Sequence, residues 1–273
     1  MTFSKINEAV AYIRSQTSLT PEIGLILGSG LGDLADEVRR AVRIDYGRIP
    51  HFPQSTVEGH AGRLVVGEWQ NRPVVVMQGR FHYYEGYSMQ EVVLPVYVMH
   101  RLGVRLLIVT NACGGLNHRF SAGDLMIIED HLNLTGDHPL IGPNDERLGP
   151  RFPDMSQAYT PGLIPFVEGA AEQVGVNIHK GVYAGISGPN FMTHAELSML
   201  ARLGADAVGM STVPEVIAAS HAGLKVIGIS CVTDMAIPEL MEGISHEDVM
   251  DMAEQTKPKF VSLVQEIVAR VNV

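Results

Sequence analysis

The chain has 273 residues, 46% of them hydrophobic, enough to bury a sizeable core in one large domain or two small ones. Its formal net charge is -10 and it has no long basic run. This excludes a general nucleic-acid surface, which needs clustered Lys and Arg, but leaves room for a local positive pocket.

In chain order, Ile6, Val10 and Ile13 recur at helical spacing, which predicts an N-terminal helix. IGLILGSGLG reads as a buried strand running into a glycine turn and a short helix, LGDLADEV. VRIDY, RLVVGEW and PVVVMQG read as strands, the last two joined as a hairpin through Gln70-Asn71-Arg72. MQEVVLPVYVMHRLG is a helix ending at Gly103. RLLIVTNACGG and GDLMIIEDHLNL follow as strands. Residues 136–160 are rich in Pro, Gly and Asp and form the longest loop, a length that points to function or to a partner. Then come a helix (PGLIPFVEGAAEQVG), a strand (HKGVYAGISG), a helix (HAELSMLARLG), a short strand (DAVGM), a helix (TVPEVIAASHAG), the strand LKVIGISCVTD and a helix from about His246. With no repeat and no linker, the expectation is one α/β domain spanning 1–273, a mixed twisted sheet flanked by helices.

The N-terminal segment MTFSKINEAVAYIRSQ lacks a signal-peptide core, and no apolar run reaches membrane-spanning length, so a soluble cytoplasmic protein without a membrane partner is expected. Cys113 and Cys231 form no disulfide framework and read as reduced core thiols. None of the eleven histidines stands in a zinc-ligand set, so no metal is expected.

Chemistry is concentrated at strand ends. GRFHYYEGY delivers Arg80, His82, the two tyrosines and Glu85 directly after the apolar run Val74 to Met77. Arg80 offers a fork of donors for an oxyanion, His82 can donate once or twice, and Glu85 is placed to orient His82. LGSGLG has G-x-G-x-G spacing; it is either a tight strand-to-helix turn or an anion cradle of backbone N–H groups with the Ser29 hydroxyl. Ser211 starts a helix, where it serves as a cap or holds an anion. The G-x-S-x-G elbow of serine hydrolases is absent.

Taken in order, ILGSGLG, STVEGHAG, GRFHYYEGY, TNACGGLN, GDLMIIEDHLN, RFPDMSQAY, GPNF and ADAVGMSTVPEVI resemble the purine nucleoside phosphorylases of the trimeric class, from about residue 5 to 270. The resemblance implies the nucleoside phosphorylase fold and a pentosyltransferase reaction: a purine nucleoside and inorganic phosphate give free base and ribose 1-phosphate. No cofactor is implied, phosphate being a co-substrate. It implies phosphate at Ser29, His60, Arg80, His82, Ala112 and Ser211, and ribose at Tyr84, Met210 and His246, with Phe152 reaching the neighbouring site of a homotrimer. It implies base contacts from Phe191, Met192, Asp234, Ala112, Cys113 and Gly114, and catalytic roles for His82, Glu85 and Asp234.

Two positions depart from the 6-oxopurine pattern. Met192 follows the phenylalanine where a glutamate is expected, and Asp234 replaces an asparagine. Both point to adenosine, whose ring N1 carries no proton and whose amino group suits a carboxylate. The alternatives are the usual inosine and guanosine specificity, then a methylthioadenosine phosphorylase, against which His246 argues. A nicotinamide-dependent dehydrogenase is a remote alternative: Asp45 is loosely placed for it, but the glycine spacing is wrong. A non-catalytic nucleoside-binding protein is the other rival.

Overall fold

The computed structural model describes residues 2–56, 61–240 and 243–273. Helix α1 (Phe3–Gln16) leads into β1 (Ile23–Leu27), β2 (Arg39–Asp45), β3 (Arg63–Trp69) and β4 (Arg72–Gln78). Helix α2 (Met89–Leu102), β5 (Leu106–Gly115), β6 (Leu125–Leu134), α3 (Ile164–Gln173) and β7 (Ile178–Ile186) follow. The chain ends with α4 (His194–Arg202), β8 (Ala207–Gly209), α5 (Val213–His221), β9 (Lys225–Met235) and α6 (His246–Arg270).

Every predicted element is present, with shifted edges. The segment after LGSG is a 3₁₀ helix, Gly32–Glu37, and β2 begins at Arg39, before the VRIDY run. The β3–β4 hairpin turns on Gln70 and Asn71 alone, at φ 50° and 58°, while Arg72 pairs with Trp69 inside the ladder. Positive φ at both turn residues matches the right-handed twist of the strands.

Among the described residues nine strands form one mixed sheet in the order β2-β3-β4-β1-β5-β8-β7-β6-β9. A further parallel pairing of β5 with β9 closes the last five strands into a ring. The long strands of that ring bend and change register: β5 and β9 slip between Cys113 and Gly114, β6 and β7 between Ile128 and Asp130. Strand β1 is buried along its whole length, so its run of apolar residues serves both faces. Ile26 packs into the layer with α1, α2 and α5, and Leu25 and Leu27 pack into the layer with α3 and α6. A third, smaller cluster sits under α4, with Leu197, Leu200, Ile186 and Val208. Cys113 and Cys231 are free and buried, in opposite layers. No helix among the described residues is long and apolar enough to cross a membrane.

Candidate active site

The ends of six strands, with Ile186 closing β7 among them, line one cavity of about 390 Å³. Gly28 and Ser29 follow β1; Arg80 and His82 follow β4; Asn111 to Gly114 lie on β5; Met210 and Ser211 follow β8; Thr233 and Asp234 lie on β9. Gly28 is required by proximity, because a Cβ there would stand 2.8 Å from the Cα of Asn111. Its N–H donates to the Thr110 hydroxyl at 3.0 Å, which locks the end of β1 against β5.

Arg80 is 1% exposed, although it lines the cavity. Its Nε donates to Glu215 Oε1 at 2.8 Å, one guanidinium nitrogen donates to the Thr110 carbonyl, and the other lies 3.4 Å from Thr212 Oγ1. His82 is buried, stacked on Tyr84 with ring centroids 4.7 Å apart and planes at 16°. Its Nδ1 is 3.1 Å from Glu85 Oε1. Burial pushes the His82 pKa down, against the opposing pull of the Glu85 hydrogen bond. Burial alone would raise Glu85, yet hydrogen bonds from His82 and Thr56 hold it at about 2. Burial pushes Tyr84 up to about 12.

Ser211 precedes a strained turn. Thr212 has φ 72° and ψ -52°, and the Val213 N–H donates to the Ser211 carbonyl at 2.8 Å. This is the rare positive-φ γ-turn, costly for a β-branched residue. It sets the Thr212 hydroxyl beside Arg80, 2.9 Å from Asn111 Nδ2 and 3.3 Å from the Ser211 hydroxyl.

The same cavity has an apolar lining of Phe191, Met192, Ile186, Leu197, Val208 and Ala236, of which all but Phe191 belong to one cluster. Among the described residues, one carboxylate stands in this lining. The β5–β9 register jumps from Cys113↔Val232 to Gly114↔Asp234, so Thr233 is a bulge residue. The bulge aims Asp234 into the cavity, and the missing side chain of Gly114 leaves room, since a Cβ there would meet Asp234 Oδ2 at 3.1 Å. Burial pushes Asp234 up to about 6, with the Thr233 hydroxyl pulling the other way. His246, the first residue of α6, lines the rim with Ile244 and Val249.

Comparison with known proteins fits this arrangement. The family described as Phosphorylase superfamily matches residues 22–269. A Bacillus subtilis protein named purine nucleoside phosphorylase 1 is 54% identical over 266 residues, 97% of this chain and 98% of that one. The chain belongs to the purine nucleoside phosphorylase family. Mouse purine nucleoside phosphorylase is 48% identical over 97% of this chain and 95% of its own. Schistosoma mansoni purine nucleoside phosphorylase isoform 2, solved with cytosine and ribose-1-phosphate, superposes with a TM-score of 0.96 at 42% identity, over 100% of this chain and 98% of that one. The enzyme of that organism solved with adenosine superposes at 0.95, again at 42% identity, over 100% and 99%. The nicotinamide-dependent dehydrogenase reading is thereby set aside.

Of the residues that the sequence of a purine nucleoside phosphorylase singles out, Ser29, Arg80, His82, Tyr84, Ala112, Cys113, Gly114, Phe191, Met192, Met210, Ser211, Asp234 and His246 line the cavity. Glu85 does not line it but bonds His82, which does. Phe152 does not line it; it is 88% exposed on the long loop. His60 lies outside the described residues. Sequence reasoning gave Thr212 and Glu215 no place, and Asn111 only a place at a strand end. Their only signal is that Asn111 and Thr212 adjoin the strand ends already singled out in TNACGG and GMSTVPE.

Proposed function

We propose that this chain catalyses phosphorolysis of purine nucleosides. The observation that carries the reading is the meeting of Ser29, Arg80, His82 and Ser211, from separate elements, in one cavity that Phe191, Met192 and Asp234 also line. An oxyanion and a flat apolar base each find a matching surface there. Phosphate oxygen attacks the anomeric carbon, the bond from that carbon to the base nitrogen breaks, and its electron pair leaves with the base. The ribose ring carries positive charge in the transition state, and the held dianion beneath it stabilises that charge. No protein nucleophile is needed. Asp234, with its raised pKa, supplies a proton to N7 of the departing base. His246, Tyr84 and Met210 face the sugar.

The favoured base is adenine. A 6-oxopurine bears a proton on N1, and Met192 offers it only a thioether; a buried donor left poorly paired costs roughly 1–3 kcal/mol. Adenine has no such proton. The test is kcat/KM for adenosine, inosine and guanosine with phosphate. Adenosine is expected to lead, and the double variant Met192→Glu/Asp234→Asn to move preference to inosine. Inosine or guanosine outrunning adenosine in the wild type refutes the base preference and leaves phosphorolysis intact. The working form we infer is a homotrimer of single-domain subunits, each lending Phe152 to its neighbour; the exposure of that ring on the longest loop supports it.

A further inference from the structure

We infer that Glu215 is the positioning residue of the phosphate site: it fixes the plane of the Arg80 guanidinium so that the fork meets the oxyanion in one orientation. The inference rests on the phosphorolytic reading above and names a residue that this reading does not use.

Arg80 ends a flexible side chain, and a fork of donors recognises an oxyanion only when its plane is held. Among the described residues three acceptors hold it, from β5 (the Thr110 carbonyl), from the turn before α5 (the Thr212 hydroxyl) and from the first turn of α5 (Glu215). Two are neutral, and the hydroxyl is distant at 3.4 Å. The bond from Nε to Glu215 Oε1 is both charged and short, at 2.8 Å between side chains 2% and 4% exposed. Charge-assisted bonds of this kind are roughly twice as strong as neutral ones. The guanidinium is planar and rigid, so a bond that holds the Nε–H constrains the direction of both terminal nitrogens.

Glu215 does not line the cavity, so it acts through Arg80. Its second oxygen, Oε2, is buried without a hydrogen-bond partner, so the carboxylate is compensated by Arg80 and by its place at a helix N-terminus. A buried ion pair contributes little stability that apolar packing would not. What this one adds is a fixed direction. The strained Thr212 turn has the same consequence: it starts α5 where its first-turn carboxylate reaches Arg80.

The test is steady-state phosphorolysis by the full chain, with phosphate and nucleoside varied separately, for wild type, Glu215→Ala and Glu215→Gln. In Glu215→Ala the phosphate KM is expected to rise about ten-fold or more while the nucleoside KM stays within about two-fold. Glu215→Gln keeps an acceptor for Nε, and its phosphate KM is expected within about three-fold of wild type. If the alanine variant does not fold by circular dichroism, Glu215→Met replaces it, filling the same space without an acceptor. A phosphate KM unchanged in Glu215→Ala, both KM values rising together, equal loss in the glutamine variant, or failure of both apolar variants to fold each overturns the positioning role. Wild-type base release that does not depend on phosphate overturns the phosphorolytic reading itself, and this inference with it.

Discussion

Glu85 accepts twice from His82, at 2.7 Å from the backbone N–H and at 3.1 Å from Nδ1, and twice more from Thr56, at 2.8 Å and 2.6 Å. An ionised carboxylate only accepts, so Nδ1 carries the proton in this pair and the ring is held in one tautomer. Replacing Glu85 by Ala or Gln is expected to lower kcat/KM for phosphorolysis by about 10- to 100-fold, since a glutamine NH₂ would face the Thr56 donors. Stability carries a second signature. The folded pKa of Glu85 is below its ordinary value, so its contribution is present above that value and is lost as the pH falls toward about 2. The stability difference between wild type and Glu85→Gln, read from urea unfolding, should therefore shrink on acidification. A difference that is constant with pH contradicts the ionised pair.

Asp234 titrates in the opposite sense. Its folded pKa, about 6, lies above the ordinary 3.8, so the fold holds the proton longer than the unfolded chain does. That contribution is complete below the ordinary value and is lost as the pH rises through about 6, on the order of 3 kcal/mol in all. Asp234→Asn should gain stability relative to wild type between pH ~4 and ~7. If Asp234 protonates the leaving base, the ratio of wild-type to Asp234→Asn kcat/KM for adenosine falls between pH ~5.5 and ~7.5. Taking the ratio cancels the titration of phosphate itself, and a flat ratio ends the general-acid role.

The sheet strands were legible because apolar runs such as IGLIL and PVVVM end in Gly-Ser and Gln-Gly-Arg, where local chemistry and pattern agree. The hairpin at Gln70-Asn71 was legible for the same reason. What sequence reasoning missed depends on partners distant in the chain. Arg80 and Glu215 are 135 residues apart, and nothing local to STVPEV announces an arginine. The Thr233 bulge exists because β9 pairs with β5, so the aim of Asp234 follows from a ladder rather than from a motif. The closed ring was equally hidden, because strand runs do not state their neighbours. Phe152 illustrates the converse: a residue singled out by resemblance that has no place in the cavity of a single chain.

Thr212 holds a buried hydroxyl where Arg80, Asn111 and Ser211 meet. Thr212→Val keeps the shape and removes the oxygen, leaving buried donors without an acceptor; a loss of about 1–3 kcal/mol is expected. Thr212→Ser keeps the oxygen and should stay close to wild type. Thr212→Gly loses the hydroxyl but relieves a positive φ that costs on the order of 1–3 kcal/mol, so it should fall between the two. Urea unfolding of the three variants gives the order. A valine variant as stable as the serine one would show that the hydroxyl contributes nothing.

Phe152 sits on residues 136–160, whose Gly149 packs so closely on α5 that a Cβ there would stand 2.0 Å from the His221 carbonyl oxygen. The loop is therefore pinned to the body three residues before the exposed ring, with the Arg151 guanidinium 5.6 Å from its centroid. A pinned, outward aromatic has little entropy left to lose on docking, as the proposed contact with a neighbouring subunit requires. Phe152→Ala is expected to raise the nucleoside KM about ten-fold and leave the phosphate KM within about two-fold. Sedimentation of the wild type should give a trimer, with specific activity falling on dilution below its dissociation range. A fully active monomer, or a nucleoside KM untouched by Phe152→Ala, means that the site is complete within one chain.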